Sequence, residues 1–317
     1  MQKLIAMPSV SVVMPARNAA ATIGEALRSI LVQPEVLEVI VVNDKSTDRT
    51  AAVIAAVRDS RITVLEGEGR GIGRALNRAI SHARGDYIAR CDSDDRFPAD
   101  RLARQTAFLD QHPDYVAVSG GFRSISKQGR PVADLACDGI ARDVTDSLQS
   151  GVSVTHLCTF LIRRRTLAEV GGAREWFTTA EDIDLMFRLS ESGRVWHDPA
   201  VAYDYRLHDA SIVHTQSDVQ RLFYESSAIA FARERRETGQ DALARGELPA
   251  VPTNAGKSSK AGPQIAGHLE AEAWAAFRQG ARWRGVQLIA RAITNAPGRL
   301  SSWRSLALML TRPANSA

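Results

Sequence analysis

A chain of 317 residues has room for one large domain with an appendage, or for two domains, and its apolar content suffices for a full core. The net charge of +4 is small for that length, and no Lys/Arg block interleaved with aromatics occurs, which excludes nucleic acid as the main partner. Cys91, Cys137 and Cys158 have no metal-ligand spacing and fit packing in a reducing cytosol. Met1 to Met7 is too short an apolar run for a signal peptide, and no stretch approaches the roughly eighteen apolar residues that span a bilayer.

In chain order, Ser9 to Met14 is a β-branched apolar run ended by Pro15, the pattern of a strand buried on both faces. After the loop Pro15-Ala16-Arg17-Asn18, residues Ile23, Leu27, Ile30 and Leu31 recur at helical spacing. Val36 to Val42 repeats the buried strand and stops at Asn43-Asp44, and Ser46-Thr47-Asp48 predicts the cap of a helix through Val57. Ile62 to Leu65 is a third strand; a Gly-rich loop and a helix over Gly73 to Ala83 follow. Gly85 to Arg90 makes a fourth strand, which runs into Asp92-Ser93-Asp94-Asp95. Repeated strand–helix units of this kind define an α/β fold with right-handed crossovers.

Open sheets bind ligands at the carboxyl ends of their strands. That rule gathers Pro15–Asn18, Asn43-Asp44, Gly67–Arg74 and Asp92–Asp95 around one crevice. The three carboxylates of 92–95 cannot be buried unpaired. Either Lys and Arg balance them, or a hard cation, Mg²⁺ or Mn²⁺ with a substrate phosphate among its ligands; the alternative is a solvated turn capping the helix after Pro98. Gly67, Gly69, Gly71 and Gly73 do not fit G-x-G-x-x-G and follow the third strand, not the first, against a dinucleotide fingerprint. They read as a loop that lets the backbone approach a base or phosphate, with Arg70 and Arg74 offering charge, or as a plain surface loop.

Beyond Pro98 a helix runs to about Gln111, and Tyr115 to Val118 is a strand ending in Ser119-Gly120-Gly121. Residues 122–150 read as a hairpin and loops that shape a second substrate's pocket. His156 to Ile162 is a buried strand, after which Arg163, Arg164 and Arg165 make a solvated face or a phosphate contact. Thr179 fits an N-cap with Asp182 three residues on; Asp182 is either a helix-start carboxylate favoured by the dipole or a general base held there. Arg194 to Ala202 predicts a strand and Tyr203 to Ser211 a polar loop containing His208. Val219 to Thr238 is an amphipathic helix, 248–264 a Pro- and Gly-containing linker, and 265–317 a helical extension with a break near Gly280–Gly285. Within it, 299–312 carries Trp303, Leu306, Leu308, Met309 and Leu310, and either packs on the domain or lies on a membrane surface or partner.

Val12-Val-Met-Pro-Ala-Arg-Asn18, Val41-Val-Asn-Asp-Lys-Ser-Thr-Asp48, Ala75-Leu-Asn77, Gly85-Asp-Tyr-Ile88, Asp92-Ser-Asp-Asp95 and Glu181-Asp182 together resemble, in order and spacing, the family 2 glycosyltransferases of the GT-A fold. The likeness covers about residues 8–215. It implies a GT-A catalytic domain over 1–240, with a nucleotide-binding half at about 8–120, an acceptor-side half at about 121–215, and a Rossmann-like, mostly parallel twisted sheet flanked by helices. It also implies inverting transfer of one sugar from a UDP-, GDP- or dTDP-linked donor to a hydroxyl of a glycan or lipid-linked acceptor. By the same resemblance the nucleotide-sugar falls to Pro15, Ala16, Asn18, Asp44, Arg70, Arg74, Asn77, Asp92, Ser93 and Asp94, with Asp44 on the base and Asp92 on the ribose side. Mn²⁺ or Mg²⁺ falls to Asp94, Asp95 in support, and His208 in Tyr205-Arg-Leu-His208; Asp182 corresponds to the base.

The chain departs from the family at Lys45, where a small or acidic residue is commoner. It lacks the Gln-x-x-Arg-Trp signature and the membrane helices of processive synthases, and both absences argue for single-sugar transfer. The implied location is cytoplasmic, with 299–312 against the inner face of the membrane if that segment does not pack. Two alternatives stand beside this reading. Nucleotidyl transfer to a sugar phosphate usually brings a Gly-rich Arg/Lys signature after the first strand, which Pro15–Asn18 is not. A non-catalytic nucleotide-sugar or glycan-binding protein has no need of Asp94 and Asp182.

Overall fold

The computed structural model describes residues 10–137, 139–208, 217–253 and 261–311. The expectations for residues 1–7, for Ser9, for the 209–211 end of the polar loop, for 254–260 of the linker and for 312–317 fall outside them.

The first half alternates β1 (Val10–Ala16), α1 (Ile23–Leu31), β2 (Val36–Asn43), α2 (Thr50–Ala56), β3 (Ile62–Glu66), α3 (Ile72–His82) and β4 (Tyr87–Arg90). The second half contains α4 (Arg101–Gln111), β5 (Tyr115–Ile125), β6 (Pro131–Leu135), β7 (Arg142–Asp143), α5 (Thr145–Gln149), β8 (Leu161–Arg163), α6 (Arg164–Glu169), α7 (Glu181–Ser192), β9 (Arg194–Arg206) and α8 (Asp218–Thr238). One sheet of nine strands joins both halves in the order β3-β2-β1-β4-β8-β5-β9-β7, with β6 on β5. The pairing is parallel from β3 to β4; β8 then runs antiparallel to β4 and β5, and β9 returns parallel to β5.

Every residue of β1 is buried because both faces of the sheet are covered. Successive side chains go to opposite faces. Val13, Ile40 and Ile88 pack with Leu76 and Ala79 of α3 and Leu185 and Leu189 of α7. Val12, Met14, Val39 and Ala89 pack with Ile23, Leu27 and Ile30 of α1 and Leu102 and Leu109 of α4. Burying a side chain of this size is worth about 1.5–3 kcal/mol, so these two clusters set the sheet and therefore the strand ends.

Several local expectations are corrected. Gly120 and Gly121 do not end β5 but lie inside it, because β9 crosses too close for a side chain: a Cβ on Gly120 would meet that of Ala202 at 2.5 Å, and one on Gly121 the Pro199 carbonyl at 2.9 Å. Tyr203 to Arg206 is strand rather than loop, paired with Phe122 to Ile125. Helix α7 begins at Glu181 behind Ala180 in the left-handed region (φ 62°), with no side-chain cap, so Thr179 is not its N-cap. Leu157 to Thr159 is a 3-10 turn, which shortens the strand expected from His156. Arg163 is no solvated face, since it donates to the carbonyls of Leu109 and Tyr115, while Arg164 donates to that of Gly85. Arg164 and Arg165 are both exposed, as a solvated face requires.

The helical extension comprises α9 (Ala261–Arg278), α10 (Arg282–Asn295) and α11 (Leu300–Thr311), broken after α9 at Gly280 (φ 83°). It has its own core, in which Leu269, Ala273, Phe277, Ile289 and Met309 meet, and Val132 of β6 packs against it. No helix among the described residues is long and apolar enough to cross a membrane.

Candidate active site

The parallel register sets the carboxyl ends of four strands side by side. Ala16 lies opposite Asn43, Asn43 opposite Glu66, and Val13 opposite Arg90. The Asp44 amide donates to the Ala16 carbonyl at 2.8 Å and the Cys91 amide to the Val13 carbonyl at 3.1 Å. The loops after β1, β2, β3 and β4 therefore border one crevice, as the strand pattern predicts.

The first two loops are stitched together. Asn18 (φ 51°) accepts from the Thr47 amide at 2.8 Å, and its own amide donates to Ser46 Oγ at 3.0 Å. Pro15 and Ala16 are buried strand residues. Asp44 accepts from the Gly69 amide at 2.6 Å. Gly67 has to be glycine, because a Cβ there would come within 2.6 Å of Asp44 Cα. Arg70 is mostly exposed, whereas Arg74 lies between Glu68 and Glu175 at 2.8 and 2.5 Å. Asn77 does not face the crevice: its amide spans the backbone of Ala173, donating at 2.7 Å and accepting at 2.8 Å.

The acid turn divides its three carboxylates among different partners. Asp92 receives Arg90 Nε at 2.7 Å and Nη2 at 3.2 Å; burial opposes its ionisation, but the Arg90 guanidinium holds it below the usual carboxylate range. Asp95 is buried, accepting from Tyr203 Oη at 2.8 Å and from the Arg206 amide at 2.6 Å. Burial, then Asp94 and Asp92, push the Asp95 carboxyl well above the ordinary range. Both Asp95 oxygens are thus engaged, and its expected place among the metal ligands is corrected to that of a strut under the turn. Asp94 faces outward, 31 % exposed, with one oxygen 2.8 Å from Nε2 of His208, which is 18 % exposed. Its other oxygen has no partner among the described residues. Ser93 is buried, and its carbonyl accepts from Thr22 Oγ1 at 3.0 Å.

Strand β9 holds this turn in place. Arg96 and Asp204 exchange backbone hydrogen bonds, Arg206 Nε reaches the Asp94 carbonyl at 2.7 Å, and Tyr203 Oη accepts from the Asp92 amide at 3.0 Å. That is why His208, two residues past β9, arrives over Asp94.

Arg90 has a second task. Its Nη1 donates to Glu181 at 3.1 Å, which ties the acid turn to the first turn of α7. Asp182 follows Glu181 half-buried, with Oδ1 accepting from the Ile183 amide at 2.9 Å and Oδ2 unpartnered among the described residues. Burial first, and then Asp182, push Glu181 up to about 7 against the pull of Arg90. Between the two acid groups stands His156. Its ring stacks on Tyr203, centroids 6.0 Å apart, and Nδ1 accepts from the Cys158 amide at 3.3 Å. Burial lowers the imidazole despite the facing carboxylates of Asp182, Asp92 and Asp94, which favours the neutral ring, and with Nδ1 accepting, Nε2 is the nitrogen left to carry its proton. Nε2 has no partner among the described residues.

Sequence reasoning missed Arg90, His156, Tyr203 and Arg206. Arg90 left a signal, since a lone arginine closing a buried strand must find carboxylates. His156 left none.

No group of three or more His, Cys, Asp or Glu side chains among the described residues is placed to hold a metal ion. The pair Asp94 and His208 still fits a cation that takes its remaining ligands from phosphate and water.

A mixed α/β sheet of this order, flanked by helices, is that of the GT-A fold. The glycosyl transferase family 2 profile matches residues 11–171, about half of the chain, and the chain belongs to that family. The succinoglycan biosynthesis protein ExoO of Rhizobium meliloti is 34% identical over 71% of this chain and 67% of its own. Chondroitin synthase of Pasteurella multocida is 30% identical over 68% of this chain and 22% of its own. Residues 1–349 of Staphylococcus aureus TarS, in complex with UDP-GlcNAc, superpose with a TM-score of 0.56 at 19% identity, covering 93% of this chain and 91% of that one.

Proposed function

We propose that the protein moves one sugar from a nucleotide-diphosphate donor to an acceptor hydroxyl, with inversion, in the synthesis of a polysaccharide or glycolipid. The observation that carries this reading is the Arg90 bridge. It holds the acid turn and the first turn of α7 one guanidinium apart, although Arg90 and Glu181 are 91 residues apart in the chain. A donor held at the one and a proton removed at the other then belong to one event.

Asp182 takes the proton of the acceptor hydroxyl through its unpartnered oxygen as that hydroxyl attacks the anomeric carbon. The bond to the diphosphate breaks on the opposite face, and a single displacement inverts the centre without a carboxylate nucleophile. His156 donates Nε2–H to a substrate oxygen between the two acid groups. The nucleoside is assigned to the loops after β1 and β2, with the second oxygen of Asp44 toward the base and Arg70 toward the phosphates. Asp92 keeps a supporting part through Arg90, and Asn77 is assigned to holding Ala173 instead of nucleotide. Asp94 and His208 would hold Mn²⁺ or Mg²⁺, which supplies positive charge to a departing diphosphate when bound.

The TarS complex supports a UDP-linked donor as the first to test, ahead of GDP- and dTDP-sugars. ExoO and chondroitin synthase support a polysaccharide product. Family membership weighs against nucleotidyl transfer and against mere binding. Incubation with a panel of these donors and Mn²⁺ or Mg²⁺ should reveal one that is hydrolysed or transferred, with the activity lost on chelation and in Asp94→Ala. If no donor is bound or turned over, and Asp94→Ala matches the parent protein, the reading fails.

A further inference from the structure

Helix α11 is mounted with its polar side inward. Ser302, Ser305 and Met309 are buried, while Leu300, Trp303 and Leu310 are 71%, 49% and 47% exposed. At 100° per residue, Leu300, Trp303, Arg304, Ala307 and Leu310 share an outward arc of about 120°. The rotation is fixed by a hub: Glu270 of α9 accepts from Ser305 at 2.7 Å, Ser301 at 3.0 Å, Ser302 at 3.3 Å and Arg299 at 3.2 Å. Trp274 Nε1 donates to Ser305 Oγ at 3.1 Å, which closes the same seam. Turning the apolar arc inward would break every one of these contacts.

Arg304 lies on the arc, and the segment that carries the arc is net basic even though Arg284 pairs with Glu272 and Arg299 with Glu270. Residues 261–311 contain Arg278, Arg282, Arg284, Arg291, Arg299 and Arg304 against Glu270 and Glu272, a surplus that equals the net +4 of the whole chain. The Arg282 side chain also reaches the Leu310 carbonyl at the end of the arc, and Trp283, its neighbour in the chain at the start of α10, is 70% exposed. Self-association through this face would set arginine against arginine, whereas anionic headgroups accept the arginines and the interfacial zone accepts the indoles.

We propose that the outward face of α11 binds peripherally to an anionic membrane surface, with Leu300, Trp303 and Leu310 in the interface and Arg304 against headgroup phosphates. The inference does not depend on the sugar-transfer reading. The test is co-sedimentation of the full chain with vesicles of phosphatidylcholine alone or of equal parts phosphatidylcholine and phosphatidylglycerol. The parent should sediment with the anionic vesicles, and the triple variant Leu300→Ser/Trp303→Ser/Leu310→Ser should bind them roughly tenfold more weakly or worse. Arg304→Glu should weaken binding to the anionic vesicles while leaving the thermal midpoint unchanged. Equal sedimentation of parent and triple variant, or no sedimentation of the parent, would overturn the proposal. So would a dimer of the parent that the triple variant abolishes, because the face would then belong to a second copy. Donor binding, measured on the same preparations, should be equal in parent and variants, which keeps this outcome apart from any failure at the active site.

Discussion

Two clusters of charge meet on α7, and they are finished differently. In the first, Asp184 receives Arg188 Nε at 2.8 Å and the Arg174 guanidinium, while Asp241 receives Arg174 at 2.6 Å and Arg235 at 2.5 Å. Both aspartates are fully buried, and the spare Arg188 nitrogens donate to the carbonyls of Val170 and Gly172. In the second, Arg90 joins Asp92 to Glu181, but Asp94, Asp182 and His156 each keep an atom without a partner among the described residues. A satisfied network clamps α7 to α8. An unsatisfied one is available to a substrate.

The contrast can be broken from the satisfied side first. Asp184→Ala strands Arg188 and Arg174 and should lower stability by about 3–5 kcal/mol in denaturant titration, with donor binding retained where the variant is still folded. The next effect is on pH. Glu181 is raised from 4.5 to about 7 in the folded protein, so the fold binds this proton more tightly than the unfolded chain does. Stability from this group is therefore full below about pH 4.5 and is lost as pH rises through about 7. Glu181→Gln should flatten that slope, by about 3 kcal/mol at most between pH 4 and 8. Thermal midpoints read across pH check it, and parallel slopes would contradict it. Smallest is Asn77→Ala, which removes two hydrogen bonds to Ala173 and should cost about 1–2 kcal/mol of stability without changing donor affinity.

Much of the fold was legible because it is local. The strands β1 to β4, their helices and the crevice at their ends follow from apolar runs and periodicity within a few tens of residues. The family motifs add Asp94 and Asp182. What stayed hidden depends on close approach between distant segments. Gly120 and Gly121 read as a strand end, and only the crossing of β9 makes them strand interior. Thr179 had the right spacing for a cap, but the left-handed turn at Ala180 starts the helix later. Three carboxylates at 92–95 posed a balance of charge that sequence could not divide; Arg90, Tyr203 and the Arg206 amide answer for two of them and leave Asp94 to His208. The inward serines of α11 are polar by residue type, and only Glu270, in the third turn of another helix, explains why they are buried.

The central claim is that donor holding and proton removal are assigned to different carboxylates joined by Arg90. It is tested most directly by measuring donor affinity calorimetrically and turnover in parallel for Asp182→Asn and Asp94→Ala. Asp182→Asn should lose about 10²–10⁴ in turnover while binding donor as the parent does, and Asp94→Ala should lose donor affinity in the presence of Mn²⁺. Unchanged turnover in Asp182→Asn, or an equal loss of donor affinity in both variants, would contradict the account.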